Sequence, residues 1–447
     1  LLIHIKMMNV NKLTYKKCIK DLTNLSIPMI MGNLGLMLIG ITDILVASKH
    51  SINTLSAISI ANAIVFCIYI IGIGLMSSIS IVLSNYRGDK KPTKLFLTTV
   101  INFSIILSII LGTICMLSVP LIDHMGFEQQ LVPIIKDYIF ISSFSFFGMY
   151  LYQSLKEFLQ AHEIVFVPNI ILIFAVFLNL VLNLILVFGF KSFSGFGAIG
   201  LAYATLISRT FMGVSLLVYL SKIVKQKCFF HVDFVKQLLK IGYPIGIALL
   251  LEFLGFNIIT ILMGKLNGIY AACHTIIIQI ISIAYMIPLA LSNALAIKIG
   301  YYNGAKDYKG ILKYSQTGTF LAVFVMFCFG LTFFMFPKEL ISIFSSNTEV
   351  LTLAIPILMI ASIFEVADGF QVSLSGILKG LKMTKTVSAC VISGYWLFGI
   401  PLGFVLCYKY NMLLKGFWIG LAISFVCIGI IESIIVLYKF RKLKKVY

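Results

Sequence analysis

Long uncharged runs separated by short polar connectors recur from one end of the chain to the other. Twelve can be drawn, at about 25–47, 55–85, 95–119, 138–160, 164–190, 196–220, 241–264, 270–300, 314–336, 351–379, 385–408 and 416–438. Each is long enough for the roughly 20 mostly apolar residues with which a helix crosses hydrocarbon. The runs are solidly apolar, whereas strands of a membrane barrel would alternate over about ten residues, so the pattern predicts helices. Connectors such as Asn85-Tyr86-Arg87-Gly88-Asp89-Lys90-Lys91-Pro92 leave no room for a soluble domain. The expected fold is an all-α polytopic membrane protein of twelve transmembrane helices.

The chain also repeats. Displaced by 216 residues, Pro28 falls on Pro244, Leu34 on Leu250, Leu38 on Leu254, Tyr86 on Tyr302 and Gly88 on Gly304. Further along, Ile199-Gly200-Leu201-Ala202 recurs as Ile419-Gly420-Leu421-Ala422. Two pseudo-symmetric six-helix lobes follow. Because six is even, both lobes start on the same side, as parallel repeats about an axis along the membrane normal, an arrangement found in transporters whose site lies between the halves. The expected organisation is a tail at 1–24, an N-terminal lobe at 25–221, a linker at 222–240, a C-terminal lobe at 241–438 and a basic tail at 439–447. The connector Ser221-Lys222-Ile223-Val224-Lys225-Gln226-Lys227-Cys228 reads equally as a hinge for rocking lobes and as an ordinary loop.

Composition sharpens this picture. Hydrophobic residues make up 60% of the chain, against about 45–50% in soluble proteins, which excludes an ordinary soluble globule. Only 11% of residues are charged, yet 35 Lys and Arg face 16 Asp and Glu, a formal net charge of +19. A nucleic-acid reader would need a solvated face of dense positive charge, whereas these lysines sit between apolar runs, so no nucleic-acid partner is expected. The basic residues instead mark topology. The N-terminal tail, the even-to-odd connectors and the C-terminal tail hold 27 of them, the other connectors hold 7, and Arg209 lies within a span. Lys and Arg in short loops collect on the cytoplasmic side, so both termini are expected there, in a cell membrane. The first run follows a basic leader and contains Asp43 before any small-residue cleavage pattern, which predicts a retained span. Leu1 to Lys6 read as residues upstream of a true start at Met7 or Met8. Nine cysteines lie scattered without a CxxC pair and read as small core residues, neither disulfides nor metal ligands.

With so little charge, each acid inside the apolar runs stands out, since insertion scales put a central Asp at about +2.5 to 3.5 kcal/mol. Asp43 in span 1, Glu252 in span 7, Glu365 and Asp368 in span 10 and Glu432 in span 12 are such acids; the remaining eleven lie at or near loops or helix ends. A buried carboxyl can exchange a proton for Na⁺ or for a cationic substrate, which is the chemistry of a coupled antiporter. Asp368, Glu252 and Asp43 are the leading candidates, while Glu365 and Glu432 read more readily as packing or cavity-lining groups. Glu365 and Asp368 stand at i and i+3 and share a helix face, which two ionised carboxylates occupy together only with a cation or proton between them. Asn179 and Asn183, at i and i+4 in span 5, can offer amide oxygens to a cation or hydrogen bonds to a neighbouring helix. Arg209 reads as a structural partner inside the bundle.

Other chemistry is not found in the motifs. His162-Glu163-Ile164-Val165-Phe166 begins like HExxH but lacks the second histidine, and there is no GxSxG, Walker-type or CxxCH pattern. Hydrolysis of ATP by this chain is therefore not expected, nor is a cofactor. Uphill transport would draw on an ion gradient.

Several segments together resemble the multidrug and toxic compound extrusion (MATE) transporters. They are Gly40-Ile41-Thr42-Asp43 in span 1, Gly195 to Thr205 followed by Ser208-Arg209 at the entry to span 6, and Asn303-Gly304-Ala305-Lys306-Asp307 after span 8. Ser375-Gly376-Ile377-Leu378-Lys379-Gly380, Tyr395-Trp396-Leu397-Phe398-Gly399-Ile400-Pro401-Leu402-Gly403 and Gly416-Phe417-Trp418-Ile419-Gly420 complete the resemblance. It implies two six-helix lobes around a cleft and export of organic cations in exchange for Na⁺ or H⁺. The NorM-like branch implies a cation-binding acid pair at Glu252 and Asp368 and a protonatable aspartate at Asp43. Two positions depart from patterns seen in the family: Asn183 stands where some members have an aspartate, and Phe364 where some have a tyrosine. The coupling ion stays open between Na⁺ and H⁺, with the acid pair favouring Na⁺. Tyr395 and Trp396 either line the cleft for flat cations or pack between helices.

The expected function is thus a secondary multidrug antiporter working by alternating access, a monomer in the lipid bilayer and not an enzyme. Glu252 and Asp368 would bind the coupling cation, possible Na⁺ included, with Asp43 gating or competing in the other lobe. One alternative is a lipid-linked oligosaccharide flippase of the same superfamily, which would favour a strongly cationic cavity, whereas only Arg209 is embedded here. The other is a polytopic membrane enzyme such as an acyltransferase, for which His274 is a candidate without a partner motif. The physiological substrate stays open.

Overall fold

The computed structural model describes residues 13–191, 193–223 and 230–446. The suggested start region at Leu1 to Met8, residues 224–229 of the expected linker and Tyr447 of the basic tail lie outside the described residues. The described chain is built of helices. They are α1 (Tyr15–His50), α2 (Ile52–Gly88), α3 (Leu97–Leu117), α4 (Val132–Ala161), α5 (Phe166–Phe188), α6 (Ala198–Ile223) and α7 (Val232–Leu266). There follow α8 (Gly268–Gly304), α9 (Tyr308–Met335), the short α10 (Pro337–Ser342), α11 (Thr348–Gly380), α12 (Thr384–Ser393), α13 (Ile400–Tyr408) and α14 (Leu413–Val446). A π-helical segment, Gly394–Gly399, joins α12 to α13. With those two helices counted as one span, twelve helical segments among the described residues are long and apolar enough to cross a membrane.

Several helices run past the apolar segments. Helix α1 starts at Tyr15, within the expected tail, where the Thr14 side chain accepts a hydrogen bond from the Lys17 amide at 3.3 Å. Helix α7 starts within the expected linker and α14 continues through most of the expected basic tail. Hydropathy marks the hydrocarbon crossing, whereas a helix ends only where its backbone hydrogen bonding is capped or broken.

Helix α4 packs on α2, α3 and α6 to centre one bundle; α11 packs on α8, α9 and α14 to centre the second. The bundles meet where α2 crosses α7 and α8, and where α1 crosses α8 and α9. The internal repeat is visible in this geometry. Helices α1 and α2 are joined by one extended residue, Ser51, and α7 and α8 by one extended residue, Asn267, its counterpart 216 positions on. Ser51 accepts from the Thr54 amide at 3.0 Å and Asn267 from the Ile269 amide at 3.1 Å, so each turn residue also caps the helix it starts.

The second symmetric feature closes the bundles on each other at the end that carries both described termini. A Cβ placed on Gly88 would overlap the carbonyl oxygen of Tyr301, and one placed on Gly304 would overlap the carbonyl oxygen of Asn85. These contacts are equivalents under the 216-residue displacement, and they require glycine because backbone meets backbone with no space for a side chain. A Cβ on Gly74 would likewise strike the backbone of Gly246. Polar groups tie the same region. Asn85 donates to the Gly380 carbonyl at 3.1 Å and accepts from Asn303 at 2.7 Å.

Charge adds a latch there. Glu163, in the α4–α5 connector, accepts from Lys298 of α8 at 2.7 Å and pairs on its other oxygen with Arg87 of α2. Lys298 also lies 3.9 Å from Asp21 of α1, which accepts from the Tyr314 hydroxyl at 2.6 Å. Lys298 and Lys156, which the topology count treats as connector cations, are in fact buried, Lys298 to 1% exposure. Proximity to a helix end in sequence does not reveal that the opposite bundle covers it. Burial alone would push the Glu163 carboxyl up from its ordinary 4.5, but Lys298 and Arg87 outweigh that and hold it at about 2.

Two outcomes follow. Gly304→Ala should separate the bundles at this end, with an overpacking cost of about 1–3 kcal/mol; a lower melting temperature and a longer distance between spin labels at positions 90 and 309, in a cysteine-free background, would register it. Because the Glu163 pKa is depressed, its contribution to closure is complete above its ordinary 4.5 and lost as pH falls towards about 2. The same label distance should therefore be flat between about pH 5 and 8, while Glu163→Gln lengthens it throughout that range.

Candidate functional site

Two polar centres lie inside the membrane-crossing part of the molecule, one in each bundle. In the first, Asp43 on α1 is 3% exposed. Asn183 of α5 donates to its Oδ1 at 2.7 Å and Thr205 of α6 donates to its Oδ2 at 3.0 Å. Asn179 supports this arrangement by accepting from Thr42 at 2.8 Å and from Asn183 at 3.2 Å. Each carboxyl oxygen thus has a neutral donor. Arg209 serves elsewhere: it donates to Ser145 at 2.8 Å and its guanidinium stands 5.5 Å from the centroid of the Tyr69 ring.

The second centre is a cavity of about 480 Å³ in the C-terminal bundle. Glu252 of α7 and Asp368 of α11 both line it, the first reached by the Tyr395 hydroxyl at 3.3 Å. Its wall includes Tyr285, Phe364, Trp418 and Phe425, and Phe66 of α2 reaches in from the other bundle to meet Phe253 with ring centroids 4.9 Å apart. Asn257 and Gln279 add amide groups, and no Lys or Arg is among the lining residues. Two acids and many ring faces without a basic side chain give the cavity an acidic, aromatic lining. Phe364, where a tyrosine would supply an oxygen, is stacked between Trp418 at 6.0 Å and Phe425 at 5.4 Å, so the ring is kept and the ligand atom is absent.

Some expectations are corrected. Glu365 does not join Asp368 in the cavity. It turns toward α9, where its Cβ faces Gly330, and it is fully buried. An i, i+3 pair is separated by about 60° around the helix, enough to place the two carboxyls on opposite sides of a packing seam. Trp396 is not a cavity residue either: its indole Nε1 donates to the Leu251 carbonyl at 3.1 Å and fastens the span to α7. Adjacent residues of a helix point about 100° apart, so Tyr395 reaches the cavity while the next ring is directed at α7. Glu432 accepts from Ser375 at 2.9 and 3.1 Å on α11.

The histidines serve packing. His274 is buried against Trp418 at 5.6 Å, with Nε2 3.4 Å from the Phe256 carbonyl. His162, in the α4–α5 connector, is lowered to about 4 by burial and lies 2.9 Å from the Thr93 hydroxyl. Among the described residues, no group of three or more His, Cys, Asp or Glu is placed to hold a metal. Nothing in the sequence pattern singles out Tyr285, Asn257 or Gln279, and Asn257 lies about 140° from Glu252 around α7.

The chain matches the MatE family model twice, over residues 28–185 and 244–405, once in each bundle. It is similar to a probable multidrug resistance protein NorM of Mesorhizobium japonicum, with 30% identity over 412 residues covering 88% of each chain. It is 26% identical to a multidrug resistance protein NorM of Photobacterium profundum over 421 residues, 91% of this chain and 92% of that one. Among solved structures, the outward-facing conformation of a multidrug resistance MATE family transporter superposes with a TM-score of 0.86 at 19% identity, covering 96% of this chain and 97% of the other.

The geometry around Asp43 makes a graded expectation. Thr205→Val and Asn183→Leu each remove a donor from a buried carboxylate, and a lost hydrogen bond to a charged group costs about 1.5–3 kcal/mol. Melting in detergent should fall for both, and by less for Asn179→Leu, whose side chain does not touch the carboxylate.

Proposed function

Since the chain belongs to the MatE family, we propose that it is a secondary multidrug efflux antiporter that exports organic cations in exchange for Na⁺ or H⁺. The observation that carries this reading is the cavity in which Glu252 and Asp368 meet aromatic walls and no basic side chain. The two acids bind the coupling ion, the ring faces hold the substrate, and ion and substrate compete because both are cations seeking the same carboxylates. Na⁺ fits the acid pair with the Tyr395 hydroxyl nearby. A proton satisfies the same groups, and Asp43 supplies a second titratable site in the other bundle. Closure at the basic end fits one limiting state of an alternating-access cycle.

The excess of Lys and Arg at the end that carries both termini supports a cell-membrane protein with cytoplasmic termini, since short basic loops stay on that side. Both repeats lie in one chain, so the cavity is complete without a second copy, which favours a monomer. A flippase for pyrophosphate-linked substrates would be better served by a cavity lined with cations. The buried Lys298 belongs to the latch with Glu163 and does not line the cavity.

Counterflow in proteoliposomes, with ethidium as substrate and Na⁺ and pH gradients imposed separately, tests the proposal. Glu252→Gln and Asp368→Asn should each abolish ethidium exchange, while Trp396→Phe retains it. Full exchange in both acid variants would refute the ion-site assignment.

A further inference from the structure

The cavity that holds Glu252 and Asp368 is built almost wholly by one bundle. Among the described residues, every lining residue comes from the C-terminal half except Phe66, which α2 carries in from the N-terminal half. Phe66 is not a core residue. Its neighbours Val65 and Tyr69 are 5% and 6% exposed and belong to the core of their own bundle, whereas Phe66 is 38% exposed. Its ring lies 6.0 Å from that of Tyr69 and 4.9 Å from that of Phe253 on α7, centroid to centroid. Part of the ring therefore stays uncovered at the cavity wall.

The internal repeat shows that this ring is particular to one half. Ser51 and Asn267 before α2 and α8, and Gly88 and Gly304 at their ends, keep the 216-residue displacement, so Phe66 corresponds to Ser282 and Phe253 to Met37. Ser282 also lines the cavity. Of two equivalent positions, one brings a ring and the other a small hydroxyl, and the pair equivalent to Phe66 and Phe253 has no ring at all. The ring contact also stands eight residues along α2 from Gly74, whose backbone meets that of Gly246, a separation of about 12 Å. At that distance from the backbone contact, the spacing of the two rings changes with the angle at which α2 crosses α7.

We propose that Phe66 is the positioning residue through which a bound aromatic cation fastens the two bundles in the arrangement seen here, closed at the basic end. The inference rests on the reading of this cavity as the substrate site. A flat cation held by Glu252 and Asp368 keeps its contacts with the rings of the C-terminal bundle however the two halves are set, because acids and rings are carried on the same bundle. It meets Phe66 only while α2 and α7 keep their present crossing. A ligand shifts an equilibrium between two states only by interactions that differ between them. Phe66 supplies such an interaction, being the one lining residue that belongs to the other bundle among those described. The acids attract the cation, and the ring from α2 makes its affinity depend on how the bundles are set.

Ethidium affinity and bundle geometry can be read together on the full chain in detergent, with spin labels at positions 90 and 309 in a cysteine-free background. With Phe66 in place, saturating ethidium should move the label distances towards their short values. Phe66→Ala should weaken ethidium binding about 3- to 30-fold, the range of one cation–ring contact, and at saturation should leave the distances where they stand without ethidium. Phe66→Leu, which keeps apolar bulk without a ring, should behave as Phe66→Ala does, and Phe66→Tyr should keep both the affinity and the shift. Unchanged affinity in the Ala and Leu variants, or a distance shift that persists in them at saturation, would overturn the proposal. So would loss of the shift in Phe66→Tyr, or its absence when Phe66 is present and ethidium is bound. Failure of the protein with Phe66 to bind ethidium at all would instead refute the substrate-site reading.

Discussion

The close approach of backbone to backbone at the pseudo-twofold axis governs how the rest of the molecule is arranged. Gly88 against the Tyr301 carbonyl and Gly304 against the Asn85 carbonyl bring α2 and α8 nearer than any side chain would permit. Everything else at that end depends on this distance. Asn85 reaches Gly380 and Asn303 only because the helices touch, and Lys298 can be buried only because Glu163 arrives from the other bundle to meet it. A buried lysine without such a partner would be costly, so latch and glycine contact support each other. The latch is one-sided, since Val82 and Asn303 stand where its Lys298 and Arg87 would recur, while the two glycine contacts are copies of one another.

The two polar centres, by contrast, are not symmetric. Asp43 receives one neutral donor on each oxygen, from Asn183 and Thr205. Glu252 and Asp368 share a cavity of about 480 Å³ in which the Tyr395 hydroxyl donates to Glu252. The first acid has both oxygens met by neutral donors, whereas the second centre holds two acids with no Lys or Arg in its lining. Duplication provided the same scaffold twice, and substitution at a few positions gave the halves different electrostatic characters.

Much of this was legible in the amino-acid order. Run length and solid hydrophobicity gave the twelve spans, because crossing a bilayer demands about 20 apolar residues whatever the tertiary fold. The displacement by 216 residues exposed the repeat, and Asp43, Glu252 and Asp368 stood out because charge in hydrocarbon is rare. Direction around a helix was not legible. Glu365 and Asp368 were expected to share a face, yet the seam with α9 passes between them. Tyr395 and Trp396 read as either cleft-lining or packing, and the first lines the cavity while the second fastens to α7. Partnerships across the bundles were equally hidden, since Glu163 and Lys298 are 135 residues apart and each alone resembles an ordinary loop charge.

The one-residue turns at Ser51 and Asn267 have a mechanical meaning. A connection of a single extended residue, with its side chain engaged in capping the next helix, has no slack. Helices α1 and α2 cannot slide along each other by even one turn without breaking it, and the same holds for α7 and α8. Each pair is therefore fixed in axial register at its turn. Any rotation where the glycines meet is carried to the opposite side of the membrane without axial slip between the paired helices.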